Sequence, residues 1–206
     1  MLIKNLMLSR DDLTIVNPKE SVRNALDLME KNGFLSIPVV DGDKFLGVIS
    51  KGQIYEYFYE KALESKAVLS EILVENVMIT NVPVVSPEGK IEDAAYYLAT
   101  KNTFFLAVID AKGAMKGIVT HNAIFQQFSE LFGENHGYGI SIIAYDIPGQ
   151  ISKLSKVISE NNGQIISFVV VDLKSITKVK EIILRIHTND IDLIVKKLKE
   201  AGFKVE

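Results

Sequence analysis

The amino-acid sequence predicts an α/β protein in two parts, a duplicated β-α-β-β-α pattern followed by one β-α-β-β-α-β unit. Three observations carry that expectation. Residues 1–60 and 73–130 repeat one pattern of apolar and turn residues in register. A glycine-rich stretch from Phe132 to Gly139 then interrupts the pattern. Beyond it, residues 138–206 follow strand-type and helix-type periodicities in an order unlike either repeat.

The duplication is read element by element. With Pro18 set over Pro87, Val22, Ala25, Leu26 and Met29 fall on Ile91, Ala94, Ala95 and Leu98. Both sets have the i, i+3, i+4, i+7 spacing of an apolar helix stripe. Gly33 and Asn102 follow where a helix would end in the left-handed conformation. An apolar strand comes next in each copy, Ile37–Asp41 over Leu106–Asp110, and then a turn, Gly42-Asp43 over Ala111-Lys112-Gly113. The second copy thereby gains one residue, and Gly47-Val48-Ile49-Ser50 lies over Gly117-Ile118-Val119-Thr120. Ile54 and Phe58 lie over Ile124 and Phe128 in a closing helix, and the approach segments Asn5–Ser9 and Asn76–Thr80 also match. A copy of about 55 residues is too small to bury much core alone, so the two should pack as one unit over residues 1–132. The stretch from Tyr59 to Ile72, rich in Ala, Leu, Glu and Lys, reads as a helical connection.

These residues resemble a tandem pair of CBS domains, a Bateman module. The resemblance rests on the Asn-x-Met approach, the proline-initiated helix, the apolar-Pro-Val-Val-Asp strand and the Gly-apolar-apolar-Ser/Thr turn. It implies two clefts between the sheets of the repeats that take adenosine nucleotides or S-adenosylmethionine. The family's site motif runs Gly-x-x-Ser/Thr-x-x-Asp, the hydroxyl reaching phosphate and the Asp the ribose. Ser50 and Thr120 match it, but Gln53 and Ala123 stand in the Asp places. Losing a hydrogen bond to a charged group, about 1.5–3 kcal/mol, would weaken ribose binding on the order of ten- to a hundredfold. A nucleotide is therefore expected against Ile37, Pro38, Ser50, Lys51 and Gln53, with the second cleft, at Thr120 and His121, as the weaker site. The alternative role of Ser50 and Thr120 is to cap the helices that follow them.

The final third reads as a ferredoxin-like βαββαβ unit. Ile140–Tyr145 is an apolar strand, and Pro148 suits the first turn of a helix whose apolar face is Ile151, Leu154, Val157 and Ile158. Asn162-Gly163 closes that helix, Ile165–Val171 is a strand, Asp172–Lys178 turns, and Lys180–His187 alternates as a second strand. Asn189 or Asp190 caps a second helix bearing Ile191, Ile194, Val195 and Leu198; Gly202 ends it before a last strand, Phe203–Val205. With Asp146-Ile147-Pro148-Gly149 at the first strand–helix junction, residues 138–206 resemble an ACT domain. That resemblance implies a small effector, often an amino acid, at Asp146, Pro148 and Gly149. Gln164 stands where the family often has Asn. The alternative is that Asp146 only caps the helix. The whole arrangement resembles the acetoin-utilisation regulatory proteins of B type.

Composition bounds the function. Net charge is −3, with 13 Lys and Arg against 18 Asp and Glu before Gly137, and 10 against 8 after it. Nucleic-acid domains are typically basic, so no nucleic-acid partner is expected. Without cysteine there is no disulfide, thiolate metal site or cysteine nucleophile. His121, His136 and His187 have no ligand-spaced partners, so no metal site is expected. The apolar runs are far short of a membrane span, and Leu2–Leu8, broken by Lys4 and Asn5, is no signal peptide, so a cytoplasmic protein without a membrane partner is expected. No nucleophile elbow, phosphate loop or dinucleotide fingerprint occurs. The expected protein is a non-enzymatic sensor needing no cofactor. It would form a homodimer, bind an adenosine nucleotide, S-adenosylmethionine or an amino acid as effector, and signal to a client protein. Two other readings stay open: an interaction protein with degenerate ligand sites, and an enzyme using an unrecognised carboxylate pair.

Overall fold

The computed structural model describes residues 1–61, 66–133, 136–173 and 179–206. Two compact units emerge, Met1–Phe125 and Gln126–Glu206.

The first unit holds the duplication. Helix α1 (Val22–Asn32) buries Val22, Ala25, Leu26 and Met29 to 1% exposure or less, as their spacing demands. Ser21 caps it by accepting from the Asn24 N–H, and Gly33, at φ +70°, ends it. Antiparallel strands β2 (Ser36–Asp41) and β3 (Lys44–Ser50) follow, then helix α2 (Lys51–Glu60). The second repeat gives a two-residue strand β4 (Val84–Val85), helix α3 (Ile91–Thr100), strands β5 (Phe105–Ile109) and β6 (Met115–Thr120), and helix α4 (His121–Leu131). The boundary between the two units falls inside α4.

Three local expectations are corrected here. Pro18 does not start a helix but lies in a turn ahead of Ser21. Asn102 does not take the left-handed conformation; α3 passes straight into extended backbone at Lys101, whose N–H still reaches the Tyr97 carbonyl. Nor is Tyr59–Ile72 one helix: α2 stops at Glu60, a 3-10 turn spans Lys66–Ser70, and residues 62–65 lie outside the described residues.

The approach segments are exchanged between the repeats. Strand β1 (Leu8–Ser9), which opens the first repeat in sequence, pairs with β6 of the second, Leu8 opposite Ile118. Reciprocally, Ile79 pairs with Val48 of β3 in the first, exchanging two backbone bonds of 2.9 Å. Ile3, fully buried, belongs to the core of the second repeat with Val85, Leu98, Leu106 and Ile124. Leu69 and Val74 belong to the first, with Val22, Leu26 and Ile37. Such crossing requires glycine. A Cβ on Gly117 would sit 2.0 Å from the Leu8 carbonyl oxygen, and one on Gly47 2.2 Å from that of Ile79. A further apolar layer, including Val40, Val48, Phe105, Met115 and Ile118, joins β2–β3 to β5–β6.

The second unit is one antiparallel sheet in the order β10-β7-β9-β8, the order of a split βαββαβ unit. Its elements are β7 (Tyr138–Tyr145), α5 (Gln150–Glu160), β8 (Gln164–Asp172), β9 (Val179–His187), α6 (Ile191–Glu200) and β10 (Lys204–Val205). Leu154, Ile158, Ile194 and Leu198 are fully buried against Ile142, Leu184 and Ile186. Asp190 caps α6 by accepting from the Leu193 N–H at 2.9 Å. Tyr138 and Gly139, the end of the glycine-rich stretch, already belong to β7. Residues 174–178, part of the expected turn, lie outside the described residues.

Candidate functional site

The exchange that builds the first unit also creates two related clefts at the seam of its repeats. One is a cavity of about 330 Å³. The first repeat lines it with Asp12, Leu13 and Thr14 and with the run Gly33 to Pro38; the second contributes Phe104, Phe105, Ile118 and Thr120. The other, lined by Asn81, Val82, Pro83, Asn102, Thr103 and Phe104 with Val48, Gln53 and Ile79, measures about 60 Å³. The repeat offset maps one set onto the other: Asp12 onto Asn81, Thr14 onto Pro83, Gly33 onto Asn102, Ile118 onto Val48. The larger cavity lies at the lower end of small-molecule sites, and the smaller has room only for a few waters.

The expected site residues divide between these clefts. Ile37 and Pro38 line the large cavity together with Thr120, not with Ser50 and Gln53. Gln53 lines the small one. Because each seam pairs the strand of one repeat with the turn of the other, residues adjacent within one repeat face different clefts. Ser50, 2% exposed, accepts from the Gln53 N–H at 3.2 Å, and the Gln53 Oε1 accepts from the Ser50 N–H at 2.9 Å. This reciprocal capping box occupies both residues with the start of α2. The Lys51 N–H donates to the Leu35 carbonyl at 2.9 Å, and Lys51 does not figure among the described residues lining either cavity. Thr120 Oγ1 accepts from the Ala123 N–H at 3.1 Å, a bond that leaves the hydroxyl proton uncommitted. His121 turns its ring to the Leu98 carbonyl, Nε2 to oxygen 3.2 Å.

The walls of the large cavity are apolar and partly aromatic, with Phe34 43% and Phe104 48% exposed. Exposed rings at a cavity mouth offer flat faces on which a heteroaromatic ring can stack. Phe34, Phe104, Asp12 and Thr14 were not singled out from the sequence. The repeat alignment carries a faint signal for them, since at each of these positions the two copies carry different residue types.

In the second unit, Ile147 to Gln150 form a turn with a 3.5 Å bond from the Gln150 N–H to the Ile147 carbonyl. Gly149 at φ +86° and ψ −8° takes the third position of a type II turn, with Pro148 at the second. Pro148 therefore precedes α5 rather than entering its first turn. Asp146 does not cap the helix: Gly149 is the N-cap, no side chain caps α5, and Asp146 pairs with Lys180 at 3.0 Å. An open cavity of about 620 Å³ lies against residues 146–152. Gln164, exposed at the start of β8 opposite His187, does not figure among its described lining residues. Lys180 was missed because it lies on another strand, far along the chain.

Duplicated α/β halves with exchanged segments and a cleft at their seam define a tandem-repeat module. The CBS domain family model matches residues 3–60 and 74–130, and the chain belongs to that family. It is 28% identical over 121 residues to an inosine-5'-monophosphate dehydrogenase of Korarchaeum cryptofilum. The match covers 59% of this chain but only 23% of that protein, so the chain spans about a quarter of the length of this curated relative. Among solved structures, it is similar to CBSX2 in complex with AMP, a protein also solved from Arabidopsis thaliana. The identity there is 26% and the TM-score 0.55, over 63% of this chain and 96% of that one. It is also similar to Listeria monocytogenes CbpB in complex with c-di-AMP, at 27% identity and a TM-score of 0.56, over 62% and 95% of the two chains.

Proposed function

We propose that this protein is a non-enzymatic sensor that takes an adenosine-type ligand in the 330 Å³ cleft. The observation that carries this reading is the inequality of the two clefts: one is ligand-sized with aromatic walls, and its mate is closed down to 60 Å³. The AMP and c-di-AMP complexes of the similar CBS structures support an adenine-bearing ligand class. Binding is assigned to Ile37, Pro38 and Thr120, with one ligand per chain. Ser50, Lys51, Gln53 and His121 would act at most from outside this cavity.

The second unit reads as an ACT domain, from its βαββαβ order and its Asp146–Gly149 junction. An amino acid would place its carboxylate on the uncapped N–H groups of α5, beside Asp146, Pro148 and Gly149. Lys180 stands within reach of the same loop through Asp146. A homodimer and a client protein complete the reading, since a sensor without its own reaction acts through contact.

Isothermal titration of the full chain with adenosine, AMP, c-di-AMP, S-adenosylmethionine and the amino acids tests this. A stoichiometry near one adenine ligand per chain, abolished by filling the cleft with Ser36→Trp, supports it. Heat from none of these compounds would favour a purely structural protein, a reading that the capping roles of Ser50 and Thr120 also fit.

A further inference from the structure

We infer that the open cleft selects an adenosine-type ligand whose 5′ substituent carries no phosphate, and that Asp12 is the residue that makes this selection. The inference rests on the reading of that cleft as an adenosine site. The signature position that would carry an Asp holds Ala123 here, so the usual carboxylate is missing. A carboxylate is nevertheless present. Asp12, at the end of a 3-10 turn spanning Arg10–Asp12, lines the cavity from the other repeat. It is the one charged residue among the described lining residues, and none of them is a lysine or arginine.

Asp12 is exposed, and the nearest cation along the chain does not neutralise it. Arg10, two residues earlier, is committed elsewhere: one guanidinium nitrogen lies 2.7 Å from Asp43 and another bonds the Gly42 carbonyl. Asp11 adds a further negative charge beside it. The other polar groups of the cavity are the hydroxyls of Thr14, Ser36 and Thr120, which are neutral. Among the described lining residues an anionic phosphate would meet a carboxylate and no cation. Sugar hydroxyls, by contrast, are the donors a carboxylate accepts best. In the closed mate cleft the same position is Asn81, so the charge belongs to the open cleft alone.

Titration of the full chain with adenosine, S-adenosylmethionine and AMP, repeated on Asp12→Asn, tests this. Asn keeps the shape and one acceptor oxygen while deleting the charge. The wild type should bind adenosine or the sulfonium about tenfold more tightly than AMP, the size expected for one partly screened charge pair. Asp12→Asn should raise the AMP affinity by about the same factor and change adenosine only a few-fold. Tighter binding of AMP than adenosine by the wild type, or an unchanged preference in Asp12→Asn, overturns the inference while leaving the adenosine site standing. Silence from all three compounds removes the site reading and this inference with it. Loss of every ligand in Asp12→Asn with an unaltered melting temperature would make Asp12 an anchor rather than a discriminator, which also overturns the inference.

Discussion

Replacing Gly117 with alanine should both destabilise the first unit and weaken its cleft, through a single carbonyl. The added Cβ would lie 2.0 Å from the Leu8 oxygen and 3.1 Å from its carbonyl carbon. Ordinary contact begins near 3.4 Å, so the Leu8 backbone must retreat by about 1.4 Å (3.4 minus 2.0). A backbone hydrogen bond of 2.7–3.2 Å does not survive that displacement. The Leu8–Ile118 and Ser9–Gly117 pairing would open. Two bonds contribute about 1–3 kcal/mol net, and a buried group left unpaired adds about 1–3 more, so a loss of about 2–6 kcal/mol is expected. At about 4 °C per kcal/mol for a unit of this size, the melting temperature should fall by roughly 8–24 °C. Leu8 also lines the open cavity, so adenosine affinity should fall with it. Thermal melts by circular dichroism and calorimetric titration read the two effects. Gly113→Ala is the comparison: at φ +84° with nothing within 4 Å, it should cost only about 1–2 kcal/mol of backbone strain and leave the cleft intact. A Gly117→Ala protein that melts within about 2 °C of the wild type and binds adenosine normally would refute the close-approach argument.

Other outcomes follow from the same structure. Ile3→Ala should cost about 2–5 kcal/mol and, by amide hydrogen exchange, loosen the second repeat more than the first, because Ile3 sits in the second repeat's core. Equal loosening of both repeats would contradict the exchange. Ser50→Ala should lose about 1 kcal/mol of stability in urea without changing adenosine affinity, whereas Thr120→Ala should lose a similar amount and weaken binding as well. The reverse pattern would return the ligand to the small cleft. The Asp110 carboxylate is held below the usual aspartate range by the Ala114 N–H, then by Lys116 at 3.0 Å and the Lys112 N–H. A depressed native pKa stabilises the fold above the unfolded value of about 3.9, and that contribution disappears as pH falls through the lower native value. Carbon-detected NMR titration should find the Asp110 midpoint below that of an unfolded aspartate, and Lys116→Met should raise it; a midpoint at the ordinary value would refute the assignment.

Much of the fold is legible in the residue pattern because helix and strand periodicities are local. The stripe Val22, Ala25, Leu26, Met29 names its buried face directly, and Ile142, Leu154, Leu184 and Ile194 name the second core equally well. Turn chemistry was less legible. Pro148 reads equally as a first helical residue or as the second residue of a type II turn, and the positive φ of Gly149 decides for the turn. Asn102 resembles Gly33 by position alone; α3 instead leaves through extended backbone at Lys101.

The site was only half legible, and the reason is topological. Alignment of the copies identifies Ile37, Pro38, Ser50 and Thr120 as equivalent candidates, but it cannot say which strand faces which turn. That depends on the crossing of Leu8 and Ile79 into the opposite repeats. Ser50 and Gln53 were expected beside Ile37; the seam instead brings Thr120 there and leaves Gln53 at the smaller cleft.

By itself the sequence determined the α/β class, the duplication and the βαββαβ order of the last third, all of which follow from local spacing, and its motifs resemble those of a CBS pair. Only the tertiary structure decided that the repeats exchange their first segments, that one cleft is several-fold larger than its mate, and that Asp12 lines the larger one. Those facts depend on residues distant in the chain being brought together, as Leu8 is against Gly117, or Asp12 and Thr120 around one cavity, and no local pattern records them.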